Sequence, residues 1–280
     1  MSYPPKVFDP AQFDIKNVQF GTPRVNDNGG KMIGLLYNDP EDGLVRPCIK
    51  TPELSNIFGL SIFEDADRKT TIAVSHQMTT EKGMEFFNLF TAFDDLCIDH
   101  ARANSKPFFK KECSDEVLAD KRTPIVKYST DKETGEINTK YAPTTKFKLP
   151  RNKTTGEITT TIWTHEKTKL ESAEGEQALL VKGTQVRLLV EPSVFWVTNG
   201  KFGLSWNANQ IRIGKQTTIR ECVFDSESDG EDGDAVEGVA GEDVAVESDD
   251  DDIAEICNDA NELTVEDDSA PKKRGRKKKN

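Results

Sequence analysis

The chain has 280 residues and a net charge of −12, and 35% of its residues are hydrophobic. This length allows one domain of about 150–220 residues with appendages. No apolar run reaches the roughly 18–20 residues of a membrane span, and the first residues form no apolar signal segment. We therefore expect an intracellular protein without a membrane partner. Five scattered cysteines without a C-x-x-C pair predict free thiols rather than a disulfide framework.

The charge is distributed unevenly along the chain. Residues 225–269 contain 20 acidic and no basic residues, residues 270–280 contain 7 basic and no acidic residues, and residues 1–224 carry a net charge of +1. Long blocks of like charge are typical of disordered interaction tails. We predict an extended N-terminal arm (1–12), a folded domain (13–224), a disordered acidic tail (225–269) and a basic tip (270–280).

Short strands are predicted through the first 75 residues. Alternating apolar residues indicate strands over 13–20, 32–37, 45–50 and 70–75, separated by clusters of Gly, Asn, Asp and Pro. The apolar segment 51–60 has no regular period, so no strand is predicted there.

A helix is predicted from Thr79 or Thr80 to about Ala103. Phe86, Phe90, Phe93 and Cys97 recur at helical spacing and should form a core stripe that plugs one end or side of a barrel. Asp94 and Asp95 are predicted to lie on the solvated face.

Two similar segments follow, Lys-Glu-Thr-Gly-Glu-Ile at 132–137 and Lys-Thr-Thr-Gly-Glu-Ile at 153–158. We interpret them as two similar hairpin turns rather than a true repeat. Between them, residues 140–153 contain five basic residues, two aromatics and no acid, which predicts a flexible basic loop. The β-branched run 158–163 predicts a strand.

The densest strand signals lie in residues 179–213. Asn199-Gly200 predicts a two-residue hairpin turn, because both residues tolerate positive φ. Phe202, Leu204 and Trp206 alternate on the predicted inner face, and a phase slip at Gln210 indicates a bulge. We expect a small β-barrel closed by this meander.

No catalytic pattern is present in the sequence. None of the three histidines has metal-ligand spacing with Cys or carboxylates, and no phosphate-binding or nucleophile motif occurs. We therefore expect no enzyme activity, no metal and no cofactor.

Single strands of nucleic acid are held by basic grooves that contact phosphates and by aromatic rings on which bases stack. Phe195 and Trp196 are adjacent in a strand, so they point to opposite faces, and we assign Trp196 to the groove. Phosphates are predicted to contact Lys146, Lys148, Arg151, Lys153, Arg187 and Lys201. Bases are predicted to stack on Tyr141, Phe147, Trp163 and Trp196.

The tail and the tip each allow two interpretations. In the first interpretation the tail only keeps the protein soluble. In the second it imitates nucleic acid and competes for the groove, and it also binds partners. The residues that would contact a partner have helical spacing: Ile253, Ile256, Ala260 and Leu263. The tip, Lys-Lys-Arg-Gly-Arg-Lys-Lys-Lys, is a nuclear address or a nucleic-acid contact, and we favour the address.

The order of these parts, with Phe-Asp-Ile-Lys-Asn-Val-Gln-Phe-Gly at 13–21 and the meander at 183–213, resembles the single-stranded DNA-binding proteins of large eukaryotic DNA viruses. It is more distantly similar to the OB-fold single-stranded DNA-binding protein of short-tailed phages. The resemblance implies a mainly β, OB-fold-like antiparallel β-barrel with one inserted α-helix and a disordered acidic C-terminal tail. It also implies sequence-independent single-stranded DNA binding, and a tail that contacts replication proteins.

We therefore predict a non-enzymatic single-stranded DNA-binding protein for replication, recombination or repair, in the host nucleus or at a viral replication site. A homodimer stays open. The alternative functions are an acidic-tailed chaperone for histones or other basic proteins, and a virion structural protein without a ligand.

Overall fold

The computed structural model describes residues 3–26, 29–62, 70–131, 134–152, 154–170 and 180–215. The predicted acidic tail and basic tip lie outside the described residues, as does Lys153. Within the described part, no helix is long and apolar enough to cross a membrane.

The described residues form fourteen strands and three α-helices. The strands are β1 (Pro5–Phe8), β2 (Val18–Phe20), β3 (Arg24–Val25), β4 (Lys31–Ile33), β5 (Leu35–Asp39), β6 (Gly43–Lys50), β7 (Leu54–Ile62), β8 (Thr70–Ser75), β9 (Arg122–Thr123), β10 (Val126–Lys127), β11 (Thr144–Leu149), β12 (Thr161–Trp163), β13 (Gln185–Thr198) and β14 (Lys201–Ile213). The helices are α1 (Glu81–Ala103), α2 (Ser105–Phe109) and α3 (Asp115–Lys121), and two 3-10 turns cover Pro10–Gln12 and Ile15–Asn17.

Five strands close into a barrel in the order β7-β8-β11-β14-β13, with β13 hydrogen-bonded back to β7. Four of these five pairings are antiparallel, and β11 runs parallel to β14. Five strands is also the strand number of an OB barrel. The prediction of a mainly β barrel with one inserted helix is confirmed.

The β13–β14 hairpin has the predicted turn and face pattern. Asn199 and Gly200 have φ values of 47° and 79°, as a two-residue hairpin turn requires. Phe202, Leu204 and Trp206 are buried. One register shift lies between Leu189 and Val190, opposite the predicted bulge.

The long helix α1 packs its aromatic stripe against inward-facing rings of β11 and β14. The ring centroid of Phe90 lies 4.6 Å from that of Trp206 and 5.9 Å from that of Phe147. The Thr80 side chain caps the helix by accepting from the Gly83 backbone N–H. The predicted core stripe is confirmed, because all four of its members are buried.

The N-terminal segment belongs to the folded domain. The predicted extended arm contains β1, which is extended but pairs in parallel with β6 from Pro5 to Phe8. Lys6 anchors it further, because its Nζ lies 2.8 Å from an Asp39 carboxylate oxygen. The arm is therefore part of the sheet rather than a separate appendage.

The two look-alike segments form similar turns, as predicted. Bridges between Thr130 and Ile137, and between Arg151 and Ile158, close the two hairpins. In both turns the fourth residue is a glycine with φ near 70°, and its N–H donates to the carbonyl four residues earlier.

Candidate nucleic-acid interface

The outer face of the β13–β14 hairpin carries Trp196. Phe195 is fully buried and packs on Phe202 in the core, so its neighbour Trp196 points to the opposite face. Trp196 pairs with Gly203, and a Cβ at that glycine would lie 2.7 Å from the indole Cζ2. Glycine is therefore required for the indole to lie flat on β14.

Three lysines converge beside this tryptophan in a recess that we call the lysine cleft. Its volume is about 70 Å³, below the roughly 300–1,000 Å³ of small-molecule sites. None of the described residues that line it is acidic. The lining consists of Thr123, Pro124, Ile125, Lys127, Lys146, Lys148, Trp196, Leu204, Ser205 and Trp206.

The strand β11 sends two of these lysines to the outer face. Its residues alternate between half-buried and buried, so Lys146 and Lys148 face outward and Phe147 faces the core. The Lys148 Nζ donates to the Ser205 hydroxyl at 3.4 Å. The prediction of a flexible loop over 140–153 is wrong for this stretch, because β11 is a barrel strand bonded to β8 and β14.

Two predicted stacking residues are not open to bases. Phe147 is 0% exposed, because it sits on the inner face of β11 against α1. Trp196 lines the cleft, but it is only 2% exposed. It forms the floor of the cleft rather than an open stacking surface.

One wall of the cleft is fixed by a buried carboxylate. Asp94 on α1 accepts hydrogen bonds from the backbone N–H groups of Ile125 and Val126 at 2.9–3.1 Å, and an Arg122 nitrogen lies 3.7 Å away. Burial raises the pKa of Asp94 despite these partners. The prediction that Asp94 is solvated is wrong, whereas its neighbour Asp95 is exposed.

The remaining candidates in the basic run have different surroundings. The Arg151 guanidinium donates to the Gly156 carbonyl and the Thr70 hydroxyl, so it links a hairpin to β8. Tyr141 is 45% exposed, with the Lys140 Nζ 5.6 Å from its ring centroid. Lys201 is exposed beside the hairpin turn.

A second basic and aromatic group lies further along β14, and we call Arg187, Arg212 and Trp163 the distal row. Arg212 pairs with Arg187 on β13 and with Trp163 on β12, so the three side chains share the outer face. The Arg187 guanidinium lies 3.1 Å from Glu53, and that of Arg212 donates to the His165 carbonyl. Five residues of strand separate Asn207, the partner of Lys148, from Arg212, or roughly 15 Å.

Arg212 and Lys127 are site residues that were not selected from the sequence. Arg212 alternates with the buried Ile211 and Ile213, which was a usable signal for an outward position. Lys127 had no such signal, because its two-residue strand β10 is defined by pairing with β11.

His76, Cys48 and Cys97 are buried, whereas His100 and Cys113 are half-buried. Burial lowers the pKa of both His76 and His100 to about 4. Burial also raises the pKa of the Cys48 thiol to about 12, and the three described cysteines are free. Among the described residues, no group of three or more His, Cys, Asp or Glu side chains is placed to hold a metal ion.

Similar solved structures include single-stranded DNA-binding proteins of phages. A C-terminal truncation of the protein from bacteriophage Enc34 is 10% identical, with a TM-score of 0.39 over 71% of this chain and 97% of that chain. The Enc34 protein in complex with ssDNA is 11% identical, with a TM-score of 0.38 over 70% and 96%. The protein gp2.5 of bacteriophage T7 is 11% identical, with a TM-score of 0.38 over 67% and 100%.

No family model and no curated protein matches the chain. The identities and TM-scores of the phage structures are too low to transfer a function.

Proposed function

We propose that this chain binds single-stranded DNA without sequence preference and that the lysine cleft is the centre of its binding surface. The observation that carries the proposal is the convergence of Lys127, Lys146 and Lys148 on a recess floored by Trp196, whose described lining residues include no acid. Cationic side chains along a groove neutralise phosphates and release condensed cations, which is the main source of sequence-independent affinity.

The shape of the surface favours a single strand over a duplex. Proteins read duplex DNA with a helix or a β-ribbon that projects into a groove, whereas the lysines here surround a recess of about 70 Å³. An extended strand can lay its phosphates over the cleft and continue along the outer face of β14. The distal row then provides two further cations and the half-buried Trp163.

Trp196 supplies a direct test of this proposal, because it lies on the floor of the lysine cleft. We expect poly(dT) to quench the tryptophan fluorescence of the full chain, and added salt to reverse the quenching. A Lys146→Ala/Lys148→Ala double variant should need more poly(dT) for the same change. Quenching that is equal for wild type and variant would contradict a role for the cleft.

A competing function from another class is a chaperone for histones or other basic proteins. The block of 20 acidic residues in 225–269 fits that function as well. The lysine cleft does not favour that function, because three lysines and no acid are found among its described lining residues, and a basic ligand would be repelled there. A fluorescence response to histones but not to poly(dT) would favour the chaperone.

We further propose that the acidic tail tempers DNA binding and recruits replication proteins. Its 20 acidic residues can compete with DNA for the basic surface. A chain that ends at Phe224 should bind single strands more tightly than the full chain. A chain that ends at Ser269 keeps the acids but lacks the basic tip, and it controls for loss of the tip. Equal or weaker binding by the shorter chain would contradict competition.

We further propose that the chain acts in replication, recombination or repair and that it is not an enzyme. We also propose that its resemblance to proteins of large eukaryotic DNA viruses reflects the same binding function. The basic tip, with 7 basic residues in 270–280, supports the host nucleus as the site of action.

A further inference from the structure

The barrel strand β7 is interrupted by a wide bulge opposite a single residue of β8. Asn56 pairs with Val74 and Leu60 pairs with Ile72, so residues 57–59 together face only Ala73. Gly59 has a φ of +80°, which a residue with a side chain adopts only under strain. Bulges of this kind redirect a side chain out of the regular ladder.

The bulge is held by a fully buried asparagine. The Asn56 side-chain oxygen accepts from the Gly59 N–H at 3.1 Å. Its amide nitrogen donates to the carbonyls of Leu180 and Val181, both at 3.3 Å. A satisfied buried amide of this type fixes backbone geometry, because breaking it leaves buried polar groups unpaired.

This arrangement exposes an aromatic ring. Phe58, at the middle of the bulge, is 46% exposed, and it takes part in none of the ring–ring contacts found among the described residues. Burial of a phenyl ring is strongly favourable, so an exposed ring needs a structural cause. Here the cause is the bulge, which places Phe58 outside the regular strand ladder. The local structure therefore holds Phe58 in solvent.

The β7 bulge that carries Phe58 lies two strands away from Lys146 of the lysine cleft. Ala73 on β8 pairs directly with Lys146 on β11, and the β7 bulge lies on the other side of Ala73. Lys146 and the bulge are therefore two strand spacings apart, or about 10 Å. Ala73, the β8 residue between them, has only a methyl side chain and is 8% exposed. One nucleotide of an extended strand can bridge this separation with its phosphate at Lys146 and its base at the bulge.

We propose that Phe58 is a stacking platform for an unpaired nucleobase at the edge of the lysine cleft. This inference rests on the proposed binding of single-stranded DNA. Every base has an aromatic face, so a stack on phenylalanine adds affinity without sequence preference. Phe58 thus takes the stacking role that the buried Phe147 and Trp196 do not fill.

The test compares full-length Phe58→Ala, Phe58→Leu and Phe58→Tyr variants on oligo(dT) and on an abasic deoxyribose-phosphate oligomer of equal length. Removing one stack should weaken oligo(dT) binding about 5- to 100-fold. Leucine should bind as poorly as alanine, and tyrosine should retain wild-type affinity. The salt slope and the affinity for the abasic oligomer should not change, because phosphate contacts remain.

Val181→Ala is the matched control, since Val181 is also exposed and lies beside the bulge. If the wild-type chain binds oligo(dT) and the Phe58→Ala variant binds within twofold of its affinity, Phe58 is not a stacking platform. The proposed function would remain intact. An equal loss on the abasic oligomer would also overturn it. Absence of wild-type binding would overturn the proposed function itself. If the Phe58→Ala variant unfolds, the comparison of Phe58→Leu with Phe58→Tyr tests the proposal, and equal affinity of these two variants for oligo(dT) would overturn it.

Discussion

Lys146 and Lys148 are separated by one residue and leave β11 on its outer face. Both line the lysine cleft, and none of the described residues that line it is acidic. Their proposed contribution to DNA binding is electrostatic, and it should appear in the salt dependence more clearly than in the affinity at one salt concentration.

Replacing Lys148 by alanine should lower the affinity for oligo(dT) several-fold. It should also reduce the slope of log K against log salt by about 0.7, the contribution of one neutralised phosphate on a single strand. Lys16→Ala is the control, because Lys16 is exposed on a 3-10 turn packed near α1 and β5. Fluorescence titration at several salt concentrations measures both variants, and an equal slope change in the control would contradict a localised site.

Gly203→Ala should destabilise the fold by about 1–3 kcal/mol, since the new methyl group would overlap the Trp196 indole and approach the Thr123 carbonyl at 3.1 Å. Urea unfolding measures the loss. The substitution should also weaken DNA binding, because the displaced indole forms the floor of the lysine cleft. Gly200 is a poor control, since its φ of +79° strains any replacement. Gly21→Ala is the control, because its new methyl group would come no nearer than 3.4 Å to the Gly34 carbonyl oxygen, and it should leave stability nearly unchanged.

At the scale of elements, the lysine cleft depends on a segment that is not itself regular. Residues 122–127 form one wall, and Asp94 on α1 holds them by three N–H···O contacts. The core helix thereby positions one wall of the lysine cleft, although none of the described lining residues belongs to α1.

Asp94→Ala should cost about 1–3 kcal/mol of folding free energy, because two buried N–H groups lose their acceptor. Asp95→Ala, at the exposed neighbouring position, should change stability by no more than about 0.5 kcal/mol. Thermal unfolding of both variants provides the comparison. If the two variants were equally stable, Asp94 would not be the anchor of the wall.

The secondary-structure elements differ in how well the sequence predicts them. The α1 stripe and the β13–β14 hairpin have strong periodicity and a specific turn, so both were predicted correctly. The strand β7 was missed because its bulge at residues 57–59 destroys the alternation on which strand prediction depends. The strand β11 was taken for a loop, because its alternation of lysine with buried residues lies inside a run of charge and proline.

The site was harder to predict than the fold. Composition drew attention to Lys146 and Lys148, which line the lysine cleft, but it could not separate them from Phe147, which points to the opposite face of β11. Asp94 appeared to be a surface residue beside Asp95, and its partners are 31 residues away along the chain. Such long-range contacts are fixed by tertiary packing and leave no local pattern.

At the scale of the whole molecule, desolvation lowers the pKa of the buried His76 and of the half-buried His100 to about 4. In the unfolded chain their pKa is near 6.5, so between pH 6.5 and pH 4 the unfolded state binds more protons than the native state. Stability should therefore fall as the pH is lowered through this range, by on the order of 1–3 kcal/mol for each imidazole.

Urea unfolding at pH 7, 6 and 5 tests this dependence, and His76→Gln should reduce it. Asp94 acts in the opposite sense, because its raised pKa favours the protonated native state at low pH. A free energy of unfolding that is constant from pH 7 to pH 5 would contradict the burial of neutral imidazoles.

The charge of the whole chain is negative, yet the proposed ligand is a polyanion. A negative chain can still bind a polyanion, because residues 1–224 carry a net charge of +1 and the excess negative charge lies in residues 225–269. The lysine cleft and the distal row, rather than the net charge, determine the local field that a DNA strand meets.

The most direct test of single-stranded DNA binding is the affinity of the full chain for oligo(dT) and for duplex of equal length, measured across salt concentrations. We predict tighter binding to the single strand, with log K falling linearly against log salt by about 0.7 for each phosphate contacted. Affinity that does not change with salt, or that is no greater for oligo(dT) than for duplex, would contradict the proposed function.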